Sequence, residues 1–74
     1  MLEIERQELL IQLGNRIKTI RQSKGITQVQ LSFDCDMEKA SLSRIEAGKV
    51  NVSYMILHRI SIGLVVTMLE LVVD

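Results

Sequence analysis

Three basic side chains fall within eleven residues, in the stretch KASLSRIEAGK. Lys39, Arg44 and Lys49 are the cations, and small residues lie between them. Ammonium and guanidinium groups bind acidic partners such as phosphates and carboxylates. On these residues alone, the segment is either the solvated face of a helix or a surface that binds an acidic partner.

The distribution of charge leaves a polyanionic partner open. The net charge of the chain is zero, yet seven basic and four acidic residues give the segment from Arg16 to Lys49 a local charge of +3. Local fields steer association, so a neutral chain can still bind nucleic acid. Against this, nucleic-acid-binding domains are often basic overall.

The apolar periodicity predicts short helices. Apolar residues recur three or four positions apart through Leu13, Ile17 and Ile20, and the chain has no proline. The first helix is expected over about Glu3 to Ser23, with a break or bend near Gly14 as one outcome. Residues 1–12 form an N-terminal extension that either lengthens this helix or packs on a partner chain.

Four further helices follow from start and stop signals. Thr27 and Gln30 have the spacing of a capping box, so a second helix begins there and runs to about Cys35. A third helix spans about residues 38–47 and is stopped by Gly48. Ser53 caps a fourth helix through residue 64, and a capping box of residues 67 and 70 opens a fifth. The sequence therefore predicts an all-α fold, a compact five-helix bundle.

The residue pattern of the third helix predicts a face that could enter a groove of another molecule. At about 100° per residue, Lys39, Ala40, Ser43 and Arg44 share one face, while the larger apolar side chains point the opposite way. Small residues permit close approach to another surface, and the two cations extend beside them.

The composition argues against several other classes of protein. His58 has no other metal-binding residues clustered around it in the sequence, so no metal site or cofactor is expected. Cys35 has no partner that could act as a base, so enzyme activity is not expected. A single cysteine is typical of a reducing compartment. No segment reads as a signal peptide or a membrane span. A cytoplasmic protein without membrane contact is therefore expected.

The longest motif is RIKTIRQSKGITQVQLSFDCDMEKASLSRIEAGKVNVS, followed by LHRISIGL. It resembles the XRE family of helix-turn-helix domains, which includes phage repressors and Cro proteins. The resemblance covers about Leu13 to Leu71, and GITQVQLS and LSRIEAGK are its most specific parts. It implies a lambda-repressor-like DNA-binding domain over residues 13–74, with a central helix-turn-helix and a C-terminal dimerisation segment.

The resemblance assigns roles to individual residues. The third helix would lie in the major groove, and Gln28 would contact a phosphate at the start of the second helix. Arg21 and Glu46 would form a structural ion pair. The DNA-binding residues it implies are Gln28, Lys39, Ala40, Ser43, Arg44, Lys49 and Asn51.

The apolar content suggests that a partner chain covers part of the surface. Hydrophobic residues make up 47% of a chain too short to bury all of them. A homodimer through the last two helices is the favoured interpretation, and a slightly apolar monomer is the other. Val29 and Phe33, on the outward side of the second helix, are expected to be partly covered by the N-terminal extension. The predicted dimerisation residues are Ile62, Val65, Val66, Met68 and Val72.

The sequence thus predicts a double-stranded DNA-binding transcription regulator, most simply a repressor, acting as a homodimer on a palindromic operator. A phage repressor, a restriction–modification controller and an antitoxin all fit this pattern. The alternative is a protein–protein interaction module of the same fold, such as a toxin-binding antitoxin, because the charge is neutral and acids flank the central turn. A separate protein partner stays open in either case.

Overall fold

A computed structural model describes the backbone of residues 2–72 and the side chains of residues 5–72. Over these residues the chain forms five α-helices and no strand, as predicted. Met1, in the predicted N-terminal extension, lies outside the described residues. So do Val73 and Asp74, at the end of the predicted DNA-binding domain. The helices are α1 (Leu2–Ser23), α2 (Gln28–Asp34), α3 (Lys39–Glu46), α4 (Tyr54–Leu64) and α5 (Met68–Val72).

Side-chain caps begin three of the helices where the sequence predicts. The Thr27 hydroxyl accepts a hydrogen bond from the Gln30 N–H at 3.1 Å, and Ser53 caps α4 in the same way. At α5 the capping box is reciprocal, because Glu70 Oε2 also accepts from the Thr67 N–H at 2.9 Å. Each cap satisfies a backbone donor that the first helical turn leaves without a partner.

Left-handed residues set the turns on both sides of α3. Asp36, in the turn between α2 and α3, has a φ of 55°, and Gly48, just after α3, has a φ of 72°. Both conformations are disfavoured for most side chains, and Asp and Gly are among the residues that tolerate them. These two turns fix where α3 enters and leaves the fold.

The N-terminal extension lengthens helix one, because α1 is unbroken from residue 2 to residue 23. The helix does not break at Gly14, which was one of the outcomes that the sequence left open. Gly14 is instead buried where α1 crosses the end of α3, and a Cβ built on it would lie 2.5 Å from the carbonyl oxygens of Ile45 and Glu46. A glycine is needed here for close packing, not for bending.

The core is aliphatic and receives side chains from every helix. α3 packs against α1 and α2, while α5 packs against α1 and α4, and α2 also contacts α4. Cys35 is also buried in this core. Burial, reinforced by the charge of Asp34 and opposed by Arg59, raises the pKa of its thiol, so it behaves as a small apolar residue. The buried apolar residues are Ile17, Leu31, Cys35, Leu42, Ile45, Ile60, Leu64 and Leu71.

Candidate DNA-binding surface

The outward face of α3 is exposed along its whole length. Lys39, Ala40, Ser43 and Arg44 are all exposed, and we call these four residues the recognition surface. Leu42 and Ile45, on the opposite side of the same helix, are buried in the core. The helix is therefore anchored from behind, while its polar and small side chains face away from the protein.

Arg44 is the member of the recognition surface with the most defined surroundings. Its Nη2 lies 3.5 Å from the Ser41 hydroxyl, at the outer limit of a hydrogen bond. It also lines a groove with Asn51 and Ser53, and apolar residues such as Val50 line the same groove. The guanidinium is thus loosely held and available to a partner beside the loop that follows α3.

Lys49 and Asn51 lie in that loop and are exposed. Asn51 lines the Arg44 groove and also a second groove, which Lys49 shares. The structure therefore brings Arg44, Lys49 and Asn51 into one continuous surface. Predicted DNA-binding residues of α3 and of the loop that follows it are therefore neighbours in space.

The predicted ion pair between α1 and α3 is present and buried. Arg21 Nε lies 2.7 Å from Glu46 Oε2, and its Nη2 donates to Glu46 Oε1 at 3.1 Å. The Arg21 and Glu46 side chains are only 9% and 3% exposed. Arg21 Nη1 also donates to the carbonyl of Ile26 at 2.9 Å. Arg21 is therefore part of the scaffold and not a free cation.

Gln28 is tied to this pair, a contact that the sequence did not predict. Its Nε2 donates to Glu46 Oε1 at 2.9 Å. A carboxylate only accepts hydrogen bonds, so the Gln28 amide must turn its NH₂ group toward Glu46. Phosphates also only accept. The predicted phosphate contact of Gln28 would therefore use its second amide hydrogen or its backbone N–H at the start of α2.

Three acids border the recognition surface on the side of the turn. Asp34, Asp36 and Glu38 are exposed, and Glu38 precedes α3 without a capping hydrogen bond from its side chain. Carboxylates at this position would repel a phosphate backbone, although Glu38 suits the positive end of the α3 dipole. The cations of the surface are thus balanced by acids nearby.

The predicted dimerisation residues divide into two groups in the structure. Ile62, Val65 and Val72 are exposed, but Val66 is half-buried and packs against the core of its own chain, and Met68 is also half-buried. Two exposed apolar residues that the sequence did not single out are Met55 and Leu69. Met55 lies two helical turns from Ile62 and so on the same face of α4.

Val29 and Phe33 are not covered by the N-terminal extension, so that expectation is wrong. Phe33 is 83% exposed and Val29 is 59% exposed. The extension continues α1 and approaches the loop after α3, where Ile11 packs against Gly48.

Neither a metal site nor a membrane-spanning segment occurs in the part of the chain that the structure describes. No group of three or more His, Cys, Asp and Glu side chains is placed to hold a metal ion there. None of its helices combines the length and the apolar character needed to cross a bilayer.

Comparison with known proteins identifies the family. A family model described as a helix-turn-helix domain matches residues 12–66, most of the chain. The chain belongs to this family. The XRE-type resemblance of its sequence is confirmed, and the protein is a helix-turn-helix regulator of the DNA-binding type and not an enzyme.

Three similar proteins are described as controllers. Control protein C.MunI from Mycoplasma sp is 37% identical over 68 residues, which span 90% of this chain and 92% of that protein. The restriction-modification controller protein C.AhdI from Aeromonas hydrophila superposes with a TM-score of 0.82 at 27% identity, over 84% of this chain and 94% of that one. The restriction-modification controller protein C.Esp1396I gives a TM-score of 0.79 at 31% identity, over 88% and 87%.

Proposed function

We propose that this helix-turn-helix protein regulates transcription as a cytoplasmic homodimer that binds a palindromic operator in double-stranded DNA. The recognition surface of α3 carries the proposal. Four exposed side chains stand on a helix whose other face is buried, and two of them are cations that can each address the N7 and O6 atoms of guanine. Lys49 and Asn51 would hold the phosphate backbone beside it.

We further propose that the regulated genes belong to a restriction–modification system. The similarity to C.MunI, C.AhdI and C.Esp1396I supports this, because each match spans more than four-fifths of both chains. Among the three types of regulator that fit the sequence, the controllers are the ones that these matches favour. Repression is the simplest mode of control, since a dimer on an operator that overlaps a promoter would exclude the polymerase.

The dimer would form through the exposed apolar residues of the C-terminal half. Met55 and Ile62 on α4, Val65 after it and Leu69 on α5 are all more than half exposed. A standard interface buries about 800 Å² on each partner, about one sixth of the 5105 Å² surface of the described residues. Dimerisation would also double the cationic contacts of a chain that has no net charge.

One observation favours a second function for the same fold. Val29 and Phe33 are four residues apart on α2 and form an exposed apolar pair well separated in sequence from the C-terminal apolar residues. A protein–protein module, such as an antitoxin that binds its toxin, would use such a pair. In that case DNA binding would be weak or absent.

The experiment that separates these functions is selection of bound sites from a random pool of DNA, followed by mobility shift. The expected result is a palindromic site whose half-sites are centred about 34–36 Å apart. Binding should weaken steeply as salt rises, because phosphate contacts release counterions. Absence of any shift at micromolar protein and low salt would overturn the proposal in favour of the protein–protein module.

Two variants then test the division of roles on the selected site. Arg44→Ala should relax the preference at one base pair of each half-site, at a cost of about 1–3 kcal/mol. Lys49→Ala should weaken binding to all sequences about equally and reduce the salt slope by about one unit per protomer. If both substitutions had the same sequence-independent effect, Arg44 would not be a base-reading residue.

A further inference from the structure

The first turns of α1 border the loop that follows α3. Arg6, Gln7 and Leu10 of α1 line the same groove as Lys49 and Asn51. The groove has a volume of ≈ 520 Å³ and is open to solvent. Ala47, at the end of α3, lines it as well. Two residues that are proposed to hold the DNA backbone therefore share a surface with the N-terminal extension.

We propose that the N-terminal extension is a second contact with the DNA backbone, in which Arg6 and Gln7 bind phosphates next to those held by Lys49 and Asn51. This inference rests on the proposed DNA-binding function. It adds to that function a site for phosphodiester groups on α1, outside the helix-turn-helix unit.

The position of α1 relative to the loop is closely determined. A Cβ built on Gly48 would lie 2.7 Å from both the Cα and the Cγ1 of Ile11, so the two backbones are in close contact there. Arg6 lies five residues before Ile11, which places its backbone about 7.5 Å farther along the helix axis. Phosphates of one DNA strand follow one another at about 3.4 Å along the duplex axis. The offset of about 7.5 Å is comparable in length to two such steps, so Arg6 and the loop are close enough to contact phosphates of the same strand.

Among the described side chains of the extension, the cation lines the groove and the acids do not. Gln7 and Ile11 are four residues apart and share a face of α1, and Arg6 lies on the adjoining face toward the groove. Glu5, about 160° from Gln7 around the helix, and Glu8 are exposed and do not line the groove. The described side chains that line the groove thus include a cation and an amide donor, which are groups that bind phosphate.

The test compares two charge-removing substitutions at the same level of the helix. Arg6→Gln should reduce the slope of log affinity against log salt by about 0.9 per protomer, or about 1.8 for a dimer on its operator. Between 50 and 200 mM salt, the variant dimer would then lose about twelvefold less affinity than the wild type. Glu5→Gln, which removes a charge of opposite sign outside the groove, should leave the slope unchanged. Arg6→Lys, which keeps the charge, should keep the wild-type slope.

The outcomes distinguish this inference from the function on which it rests. Thermal unfolding first establishes that each variant is folded. If Lys49→Ala lowers the slope while Arg6→Gln does not, the DNA-binding function stands and the α1 contact is overturned. If Arg6→Gln and Glu5→Gln change affinity by equal and opposite factors at constant slope, a general field effect replaces the contact. If the wild-type protein binds no DNA at all, the proposed function itself fails.

Discussion

At the residue scale, Gln28 shows how a buried ion pair orients a side chain at the surface. Glu46 accepts hydrogen bonds from both Arg21 and Gln28, so the core determines which end of the amide points outward. The Arg21–Glu46 pair was predictable from the sequence, because both residues occupy positions of a familiar motif. The third partner was not, since a glutamine amide can rotate toward many neighbours and only the packed structure selects one.

The buried pair makes a specific prediction about stability. Glu46→Leu should lower the free energy of unfolding by about 3 kcal/mol, because it leaves the Arg21 guanidinium buried without its counter-ion. Urea denaturation measures this change.

The double variant Arg21→Met with Glu46→Leu serves as the control for that prediction. It replaces both charges by apolar groups and should recover most of the loss. Recovery should be incomplete, because the Ile26 carbonyl also loses its donor. A double variant no more stable than Glu46→Leu alone would show that the unpaired charge is not the cause.

At the element scale, helix boundaries were the most predictable feature. The hydroxyl caps of α2, α4 and α5, and the left-handed residues Asp36 and Gly48, depend on interactions within a few residues of the chain. Local sequence is sufficient to specify such contacts. Features that depend on distant segments were harder to predict, and Gly14 is the clearest of them.

Gly14 was ambiguous in the sequence because a glycine inside a helix can mark a bend or a close contact. Its role depends on the end of α3, where Ile45 and Glu46 lie more than thirty residues later in the chain. The carbonyl oxygens of Ile45 and Glu46 approach α1 so closely that no side chain fits between the two backbones. Gly14 therefore sets the distance at which α3 is held from α1.

Gly14→Ala should consequently destabilise the protein by about 2 kcal/mol, even though alanine favours a helix by up to about 1 kcal/mol over glycine. The added methyl would force α3 away from α1, so the folded fraction should also bind DNA more weakly. Thermal unfolding and mobility shift measure the two effects. Asn15→Ala is the matched control, because Asn15 is the exposed neighbour on the same helix. Asn15→Ala should stabilise the fold slightly, because alanine favours a helix. If Gly14→Ala stabilised the fold in the same way, α1 and α3 would not be in close contact at this position.

At the scale of the whole molecule, the total apolar surface was easier to predict than its location. The composition indicated more apolar area than one small core can bury, and the structure has exposed apolar residues on α2, α4 and α5. The spacing of these apolar residues along the sequence does not show that Val66 packs against its own core while Leu69 is exposed. That choice depends on how α5 is seated against α1 and α4, which local periodicity does not reveal.

The backbone conformation of Val65 gives a reason to place this exposed apolar surface in the proposed dimer interface. It ends α4 with φ 58° and ψ 49°, a left-handed conformation that is unfavourable for a β-branched residue by about 1–2 kcal/mol. Its side chain is 81% exposed, so packing within its own chain does not offset this cost. Glycine would suit the position better in a monomer. A valine here is explained if its side chain is buried against a second copy of the chain.

Val65→Gly should therefore act in opposite directions on the monomer and on the dimer. Relief of the backbone should raise the free energy of unfolding of the dilute monomer by about 0.5–1 kcal/mol. Loss of two buried valine side chains should raise the dimer Kd at least tenfold. Urea denaturation at low protein concentration and sedimentation over a concentration series measure the two quantities.

Ile62→Glu should abolish the dimer, and Phe33→Glu, on α2, should leave it intact. An unchanged dimer Kd in Val65→Gly would show that the Val65 side chain is not buried in the interface. The left-handed backbone of Val65 would then not be explained by dimer formation.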